Sequence, residues 1–554
     1  MNCSFEIPCD APNTPSRVQG MRICNAVLLG FALVFIGLGS VQAADLPALP
    51  QTFIDTTYSP PSGNTITVNA GGNLQTAINN AQPGDTIVLE AGATFSGSFT
   101  LLNKTGSGWI YIRSSAYSSL PAPGTRVSPA DAANMPKIVG SSNLSVVQTA
   151  SQAHNYRFVG IEFRPASGQS ITTLIKIGNN ETSVANLPRD ITFDRCYVHG
   201  DPTVGGRRGI AMNGAGIAVV DSYVSDFKEA GADSQALWTY NSPGPLKIVN
   251  NYLEAAGENF MSGGGDPQIT NLVPSDIEIR RNHFFKPLAW MSMNWVVKNL
   301  IEFKNARRVL VEGNIFENVW RADQVGALVN AKPAPEGSGA PWTTVEDLWF
   351  RYNKGINLEV GFQISGRVDD PFPGQVMNRV LIEHNVLQVT RPNDGDGTIF
   401  QIGAGPMNVT IRHNTALITV AEGTTAFSEN NVAADQFDFR DNLLSRGDSG
   451  FVGTSEDEGI ATLNAYYTNY TFIKNAIISA PSGSYPANNF FPANTGAVGF
   501  VDYANGNYRL LASSPLKNQA SDGTDVGADI DAVDAAIAGG ATMLSPPQRL
   551  RVID

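Results

Sequence analysis

Cysteine is scarce in this chain of 554 residues, which has only four. Three of them, Cys3, Cys9 and Cys24, lie within the first 43 residues, so Cys196 alone is left for the folded protein. An intrachain disulfide is excluded once that region is removed, and stability must come from packing. A lone buried thiol behaves as a small apolar group. We interpret Cys196 as an inert core residue rather than a nucleophile.

Several enzyme motifs and a basic charge balance are also missing. The sequence has no HExxH, CxxC or P-loop motif, which argues against the enzyme classes that carry them. The formal net charge is −13 at pH 7, and a chain this acidic is a poor nucleic-acid binder. His384 and His413 each precede an Asn of the repeat described below, so we expect them to stack on the surface rather than bind a metal.

The amino terminus has an apolar run, residues 26–38, that is too short to span a membrane. It follows Arg22 and ends near the small-residue site Val41-Gln42-Ala43. This order of basic, apolar and small residues is typical of a secretory signal. We predict that residues 1–43 are removed before Ala44, with Met21 as a candidate start, and that the protein is bacterial and secreted or periplasmic.

One sequence motif, called the Asn phrase below, recurs ten times along the chain. It consists of alternating apolar residues, a polar pair, an Asn and more apolar residues. Its Asn position holds Asn251, Asn282, Asn314, Asn353, Asn385, Asn414, Asn442 and Asn475, and two earlier copies have Cys196 and Ser222 there. The spacing runs from 26 residues (Cys196 to Ser222) to 39 residues (Asn314 to Asn353). A period in this range is typical of solenoids, in which each coil buries its apolar face against its neighbours.

The Asn predicts a tight corner between two short strands. Asn tolerates left-handed backbone angles, and its side chain can bond the equivalent Asn of the next coil. Period-2 alternation on both sides of it indicates β-strands. We therefore predict an all-β fold, a parallel β-helix (solenoid) of about ten or more coils, in which Asn282, Asn314 and Asn353 stack in one column.

The rest of the chain divides around this repeat. We predict a lead-in over residues 44–65, an amino-terminal cap and first coils over 66–150, the β-helix over 151–480, and a closing segment with a tail over 481–554. Leu74, Ala77 and Ile78 at helical spacing predict a short α-helix over 73–81. Such a helix would cap the exposed strand edges at the end of the stack.

Strand alternation also predicts a polar stripe on one sheet. The strands ahead of the Asn phrases, such as NLIEFKN and FQISGR, point Ile301 and Phe303 inward. Their outward positions include Asn213, Thr239, Glu302, Lys304, Asn330, Ser365 and Arg367. Long connections at 263–275, 331–345 and 366–378 are expected to wall a groove beside this stripe.

These segments resemble a known family. The opening NLQTAINNAQPGDTIVLEAG, the Asn corners and the ending NYRLLASSPLKN are similar to the right-handed parallel β-helix proteins of the pectin-lyase-like superfamily. Within that group, VKNLIEFKNARRVLVEGNIFEN is loosely similar to the pattern of chondroitinase B and the alginate lyases. The resemblance implies a right-handed β-helix that acts on a polysaccharide, with Lys304 near the position of the family's base.

The chain departs from the lyase pattern in two places. The paired Glu residues upstream of the family's Lys fall at Val297 and Asn299, and VGALVNAKPAPEG replaces the downstream Arg-His-Gly motif. The Asp-pair signatures of polygalacturonase-type hydrolases are absent as well. The resemblance therefore supports action on a polysaccharide more than it supports that particular site.

Glu302 and Lys304 lie two apart on one strand and share a face. In a lyase, a base removes the proton beside a uronate carboxyl group, and positive charge stabilises the enolate. Nearby cations would lower the pKa of Lys304 and make it the base. We predict Lys304, Lys298, Arg308 and Glu302 as catalytic residues. The alternative is an ordinary ion-pair ladder on the surface.

The segment ENFMSGGGDP, residues 258–267, is a second candidate. Three glycines in a row allow close approach by a ligand, although a sharp turn capped by Asp266 also explains them. Glu258, Asp266 and Glu302 would offer oxygen ligands for a Ca2+ ion that bridges a substrate carboxylate. The predicted substrate-binding residues are Asn259, Asn330, Arg367 and Trp320, the last as a stacking platform for a sugar.

Together these features predict a secreted protein that acts on a polysaccharide, specifically a lyase that cleaves an acidic, uronate-containing polymer by β-elimination. A non-catalytic carbohydrate-binding or cell-surface β-helix protein is the alternative, and a hydrolase is the third possibility. Neither a nucleic-acid partner nor a membrane span is expected. Ca2+ is the one cofactor that the residues suggest.

Overall fold

Each repeat forms one coil of three short strands. The chain runs through a strand of sheet A, turns at the Asn into sheet B, turns again into sheet C and returns to sheet A one coil further on. Strands of equal position pair in parallel with those of the adjacent coils, as in Leu246↔Ile277, Leu253↔Phe284 and Phe260↔Ile301. The predicted right-handed parallel β-helix is thereby confirmed.

The computed structural model describes residues 44–140, 143–368, 371–429 and 432–539. The 15 strands of sheet A are Thr65–Val68, Thr86–Leu89, Ile110–Ser114, His154–Val159, Arg189–Asp194, Ala215–Val220, Leu246–Val249, Ser275–Arg280, Ala306–Glu312, Val345–Arg351, Asn378–Glu383, Met407–Arg412, Ala434–Arg440, Tyr467–Thr468 and Thr471–Ile473. The 13 strands of sheet B are Thr94–Ser96, Lys137–Gly140, Glu162–Pro165, Tyr197–His199, Tyr223–Phe227, Tyr252–Ala255, His283–Phe285, Ile315–Val319, Lys354–Leu358, Val386–Val389, Thr415–Ile418, Leu443–Ser445 and Ala476–Ile478. The 12 strands of sheet C are Phe99–Leu101, Val147–Thr149, Thr173–Ile177, Arg208–Met212, Gln235–Thr239, Glu258–Ser262, Ile301–Phe303, Ala327–Ala331, Val360–Ser365, Thr398–Gly403, Thr424–Glu429 and Phe451–Gly453.

Short helices and one hairpin complete the described part of the chain. The α-helices are Leu74–Asn80, Ile460–Tyr466, Thr495–Val498 and Ile530–Ala538, the 3-10 helices are Tyr117–Ser119, Pro129–Asn134, Val184–Asn186, Leu288–Ser292, Ser482–Ser484 and Tyr503–Asn505, and the antiparallel hairpin pairs Phe500–Asp502 with Asn507–Leu510. None of the described helices is long and apolar enough to cross a lipid bilayer. The predicted signal region, residues 1–43, and residues 540–554 of the tail lie outside the described residues.

The predicted capping helix is Leu74–Asn80. It begins after Asn73, whose side chain accepts a hydrogen bond from the Thr76 N–H at 2.9 Å. Its buried face consists of Leu74, Ala77 and Ile78, the three residues whose spacing predicted it. The helix covers the first coils, as a strand edge at the end of a stack requires.

The core is a column of apolar side chains from all three sheets. Ile301 and Phe303 face inward as predicted, and Phe284 stacks on Phe316 with 4.7 Å between ring centroids. Burying one such side chain stabilises the fold by about 1.5–3 kcal/mol. Cys196 lies within this core, where burial raises the pKa of its thiol to about 12, so it has the properties of the inert core residue that we expected.

A column of Asn side chains runs through the A–B corners. The backbone N–H and the side-chain Nδ2 of each Asn donate to Oδ1 of the Asn in the next coil, at 2.9 to 3.2 Å, from Asn251 through Asn475. Ser222 continues the column toward Cys196, and Asn489 extends it beyond Asn475. The predicted stacking of Asn282, Asn314 and Asn353 is confirmed.

The left-handed backbone angle lies one residue before the Asn, not at the Asn itself. The residues with positive φ, between 50° and 65°, are Asn250, Arg281, Gly313, Tyr352, His384, His413, Asp441 and Lys474. Our expectation that Asn adopts this angle was wrong. The chain turns at the preceding residue so that the Asn side chain can point into the column, where its hydrogen bonds offset the strain.

The chain termini cover the outer faces of sheets A and B. The amino-terminal strap, residues 44–58, crosses sheet A with these contacts: Ala48 N–H to Asp347 Oδ1, Gln51 N–H to Asp276 Oδ1, and Lys247 Nζ to the Ile54 carbonyl oxygen, at 2.9 to 3.0 Å. The closing segment packs Val498, Phe500 and Tyr508 against Val386 and Leu417 of sheet B. Sheet C is lined instead by its own flanking connections.

The Asn column generates a stability prediction. Asn314→Ala removes the acceptor for two donors of Asn282 and a donor to Asn353, all of them buried. Leaving these groups unpaired should lower the free energy of unfolding by about 2 to 4 kcal/mol, measured by urea denaturation. Asn505→Ala, at an exposed position, is the control and should cost about 0.5 kcal/mol or less. Equal losses in the two variants would contradict the role of the column.

Candidate functional site

The outward positions of sheet C form one ladder across the coils. The strand register aligns Trp238, Met261, Glu302, Asn330 and Gln363 in that order. Glu302 and Asn330 therefore share one face, as the alternation predicted. Thr239 was placed wrongly on this stripe, because its hydroxyl is buried and donates to the Met212 carbonyl oxygen.

Long connections flank this face along both edges. Residues 263–274, 332–344 and 366–377 lie where sheet C turns toward sheet A, and residues 286–300 lie where sheet B turns into sheet C. Trp290 and Val297 of the latter segment pack with Trp320. The connections therefore converge over the middle coils of sheet C, and we call the side chains gathered there, around Glu258 and Glu302, the acid–lysine cluster.

Two buried glutamates form the centre of the acid–lysine cluster. Glu258 is 0 % and Glu302 is 1 % exposed. Oε2 of Glu258 accepts from Gln235 Nε2 at 2.7 Å, and Oε2 of Glu302 accepts from Asn299 Nδ2 at 3.0 Å. The Oε1 atom of each finds no hydrogen-bond partner within the part of the chain that the structure describes. Buried carboxylates with unused acceptors are costly, so they indicate a functional demand.

Two lysines cap the glutamates, each tied to an acidic residue at the rim. Lys298 Nζ lies 2.8 Å from Asp233 Oδ1. Lys304 Nζ lies 2.8 Å from Glu336 Oε1 and 3.9 Å from Glu302 Oε1. Because the rim acids are more exposed than the lysines, the two ion pairs separate the glutamates from solvent.

The electrostatics of the cluster keep Glu258 neutral and the lysines charged. Burial, followed by repulsion from Glu302 and Asp233, raises the pKa of Glu258 to about 8. Burial disfavours the charged form of Lys304, but attraction to Glu302 and Glu336 outweighs it, so the pKa of Lys304 lies above its usual value. The pKa of Lys298 is raised in the same way by its Asp233 hydrogen bond and the nearby glutamates.

A third lysine holds the turn from which Glu258 projects. Lys286 is fully buried, and its ammonium donates to the carbonyl oxygens of Ala255, Ala256 and Gly257 and to Asn259 Oδ1, at 2.6 to 3.1 Å. Burial lowers the pKa of Lys286 to about 7. Lys286 thus fixes the backbone immediately before Glu258 and the side chain of Asn259 after it.

An aromatic stack lies on the same face, on the amino-terminal side of the cluster. The Arg208 guanidinium sits 4.1 Å from the centroid of Trp238, and Tyr240 stacks on Trp238 at 4.8 Å. The Trp238 indole N–H donates to the Gly263 carbonyl oxygen at 2.8 Å. Trp238 and Tyr240 are half-buried, so part of this platform reaches solvent.

Lys304 does not fit the role of general base. We expected cations to lower its pKa, but Arg307 pairs with Glu346 and Arg308 with Asp276 on the outer face of sheet A. Acidic residues, not cations, therefore dominate its surroundings and hold it protonated. The prediction of Arg308 as a supporting cation was also wrong. The strand Ala306–Glu312 belongs to sheet A, and Arg308 lies on its outer face, paired with Asp276.

Two predicted substrate-binding residues are used internally. Asn259 is fully buried, and its Nδ2 donates to the carbonyl oxygens of Leu253 and Phe285. Trp320 is only 1 % exposed and packs in the apolar cluster with Trp290. Neither can serve as a surface for a sugar in this structure, because the turns between sheets B and C enclose both.

The other two predicted binding residues remain on the sheet C face. Asn330 lies beside Glu302 in the ladder, with a buried Oδ1 that has no hydrogen-bond partner among the described residues. Arg367 is exposed just beyond the strand Val360–Ser365. Their roles in binding stay predictions.

The predicted calcium ligands are only partly brought together. Glu258 and Glu302 interact, whereas Asp266 accepts a hydrogen bond from the Glu336 N–H at 2.8 Å and so belongs to the rim. Among the described residues, no group of three or more His, Cys, Asp or Glu side chains is arranged to hold a metal ion. The glycine run serves packing, since a Cβ on Gly263 would lie 2.6 Å from Lys304 Cβ.

Several members of the cluster were missed from the sequence. They are Asp233, Gln235, Lys286 and Gln324, whose Oε1 accepts a hydrogen bond from Asn299 Nδ2 at 2.9 Å, together with Arg208 and Trp238 of the adjacent aromatic stack. Trp238 shares the outward phase of Glu302, so alternation gave a signal for it. Arg208 and Gln235 lie in the phase of the inward-facing Ile210 and Leu237, so alternation gave no signal for them. Asp233 and Gln324 come from irregular connections, for which no periodic signal exists.

A separate concavity of about 690 Å³ lies beneath the closing segment, with His384, Arg509, Lys517 and Asp529 among its lining residues. His384 stacks on His413, but both are covered by this segment rather than exposed as we expected. Burial lowers the pKa of His384 to about 4. Glu258 and Glu302 lie on sheet C between the long connections, and each has an Oε1 without a partner among the described residues, so we place the candidate site there.

No protein-family model matches the chain, and no curated protein matches it either. Among solved structures, the PL6 family alginate lyase AlyGC is 14% identical with a TM-score of 0.51, covering 87% of this chain and 59% of its own. A GH87 α-1,3-glucanase from Streptomyces thermodiastaticus is 10% identical (TM-score 0.43; 80% and 71% covered), and a mannuronic acid specific family 6 lyase from human gut microbiota is 14% identical (TM-score 0.39; 78% and 83% covered). This chain thus spans 59% of the length of AlyGC, and the likeness confirms the β-helix fold alone.

The raised pKa of Glu258 predicts a pH-dependent stability. The folded protein binds the Glu258 proton more tightly than the unfolded chain does, so this contribution is fully present below pH 4.5 and is lost as the pH rises toward about 8. Glu258→Gln removes the titration. The melting temperature of Glu258→Gln, relative to that of the wild type, should therefore increase as the pH rises from 4.5 to about 8.

The measurement is a series of thermal melts between those two pH values. Glu456→Gln, at an exposed position, is the control and should follow the wild type throughout. A Glu258→Gln curve that runs parallel to the wild type across the window would show that Glu258 ionises normally in the folded protein.

Proposed function

We propose that the protein is a carbohydrate-active enzyme, a lyase that cleaves an acidic, uronate-containing polysaccharide at the acid–lysine cluster. The observation that carries the proposal is the pair of buried glutamates, whose Oε1 atoms accept no hydrogen bond from any residue that the structure describes, beneath two charged lysines. A β-elimination needs a base, a proton donor and positive charge for the substrate carboxylate. The cluster has one group suited to each task.

Glu302 is the proposed base. Its free Oε1 would take the proton next to the uronate carboxyl group, while Asn299 holds Oε2 in place. The ammonium of Lys304 would bind the carboxylate and stabilise the enolate that forms, with Lys298 as a second cation. This assignment gives Glu302 the role of base that the sequence suggested for Lys304, and makes Lys304 a supporting cation.

Glu258 is the proposed acid. A carboxyl group with a pKa of about 8 still carries its proton at neutral pH. It would give that proton to the leaving glycosidic oxygen as the carbon–oxygen bond breaks, so the products are an unsaturated uronate and a free hydroxyl group. A proton transfer from Glu302 to Glu258 through solvent would reset the site.

The ladder geometry suits a linear polymer. Adjacent coils place their outward side chains about 4.8 Å apart along the stack, and Asn330, Gln363 and Gln401 continue the polar face beyond Glu302. Calcium stays a prediction. Glu258 and Glu302 would supply two carboxylate ligands, but no third one joins them in the described part of the chain, so we derive no step through the ion.

A non-catalytic carbohydrate-binding protein is the second candidate. The stack of Arg208, Trp238 and Tyr240 favours it, because the half-exposed part of such a stack can contact a sugar without any chemistry. Secretion, which any extracellular polysaccharide would require, stays a prediction from residues 1–43.

The decisive experiment is a screen of alginate, pectate and glycosaminoglycans for the ultraviolet absorbance of the unsaturated uronate. The wild type should form this product from at least one polymer, and Glu302→Gln should lower kcat by about a hundredfold or more without changing the melting temperature. Glu317→Gln, which loses an ion pair with His283 on sheet B, is the matched control. Binding without product would favour the second candidate. An active Glu302→Gln would place the base elsewhere.

A further inference from the structure

The connection at residues 332–344 places one carboxylate directly on the cluster. Glu336 Oε1 lies 2.8 Å from Lys304 Nζ. The side chain of Glu336 is 46 % exposed, whereas that of Lys304 is 20 % and that of Glu302 is 1 % exposed. Glu336 is therefore the outermost member of a column that leads from solvent through Lys304 to Glu302.

The backbone around Glu336 is fixed at two points. The Glu336 N–H donates to Asp266 Oδ1 at 2.8 Å, and the Ala334 N–H donates to the Lys304 carbonyl oxygen at 3.1 Å. Gly337 and Gly339 follow, and a Cβ at either would lie within 3.5 Å of Asp266 Oδ2. The backbone of the connection is thus anchored, and the Glu336 side chain is held only by its ion pair with Lys304 among the contacts that the structure describes.

The Lys304 ammonium makes a close ion pair with only one of its two acidic neighbours. Its second acidic neighbour, Glu302 Oε1, lies 3.9 Å away, beyond hydrogen-bond distance, so Glu336 is its close partner. A rim ion pair of this kind is worth little, because one partner is well solvated. An incoming anionic group can replace Glu336 at low cost, and doing so would also uncover Glu302.

We propose that Glu336 occupies the subsite for an anionic group of the substrate, and that Lys304 selects acidic sugars by exchanging Glu336 for a sugar carboxylate. The inference rests on the proposed function, since it names the group that Lys304 recognises. Glu336 is a specificity-determining residue and takes no part in bond cleavage. A neutral sugar carries no charge that could replace Glu336 on Lys304, so its binding leaves the Lys304–Glu336 pair intact.

The test uses an oligogalacturonate and its methyl ester, which differ only in the charge of the carboxyl groups. Isothermal titration would compare the wild type with Glu336→Gln and with Asp531→Asn. The last variant removes the same single charge at an ion pair with Arg509 in the closing segment, away from the cluster. It therefore controls for the change in net charge.

Glu336→Gln should bind the oligogalacturonate about tenfold more tightly than the wild type, since the ligand no longer competes with a charged hydrogen bond. Its affinity for the methyl ester should not change, and Asp531→Asn should match the wild type with both ligands. If Glu336→Gln binds the acid no better, or gains equally with the ester, the inference is overturned although the proposed function stands. If neither the wild type nor either variant binds a uronate, including alginate oligomers, then the proposed function is wrong and the inference is overturned with it.

Discussion

The Asn column is the constraint on which the rest of the structure depends. Each Asn donates twice to the next, so the A–B corner of every coil is held at the same point. Because strand side chains alternate with a period of two, fixing one corner fixes which residues of the coil face inward. The column explains why the repeats align strand to strand, although their corner residues are 26 to 39 residues apart and their connections differ in length.

This register brings together residues that are far apart in the sequence. Asp233, Glu258, Lys298 and Glu336 meet on sheet C because four successive coils place them there. The fold buries two carboxylates without full hydrogen bonding, which costs stability. Lys286 and the stacked coils supply the rigidity that keeps them in place. The proposed site, in which two buried glutamates lie close together, needs such a scaffold.

Much of the fold could be predicted from the sequence, whereas the chemistry of the site could not. The Asn repeat predicted the coils, and Leu74, Ala77 and Ile78 predicted the cap, because both signals are periodic. Alternation also placed Glu302 and Asn330 on one face. It could not show that Lys304 meets Glu336 rather than Arg308, since partners across connections follow no period. The direction of the pKa shift of Lys304 depends on that difference. The burial of Trp320 against Trp290 could not be predicted for the same reason, because it depends on contacts across connections.

The most direct test of the account is a crystal structure of the Glu302→Gln variant with an oligouronate bound. The account predicts a chain of sugars along the outer face of sheet C, with one carboxylate on Lys304 Nζ, Glu336 turned away and the glycosidic oxygen next to Glu258. Sugar density in the cavity beneath the closing segment, or on sheet A or B with the Lys304–Glu336 pair intact, would contradict it.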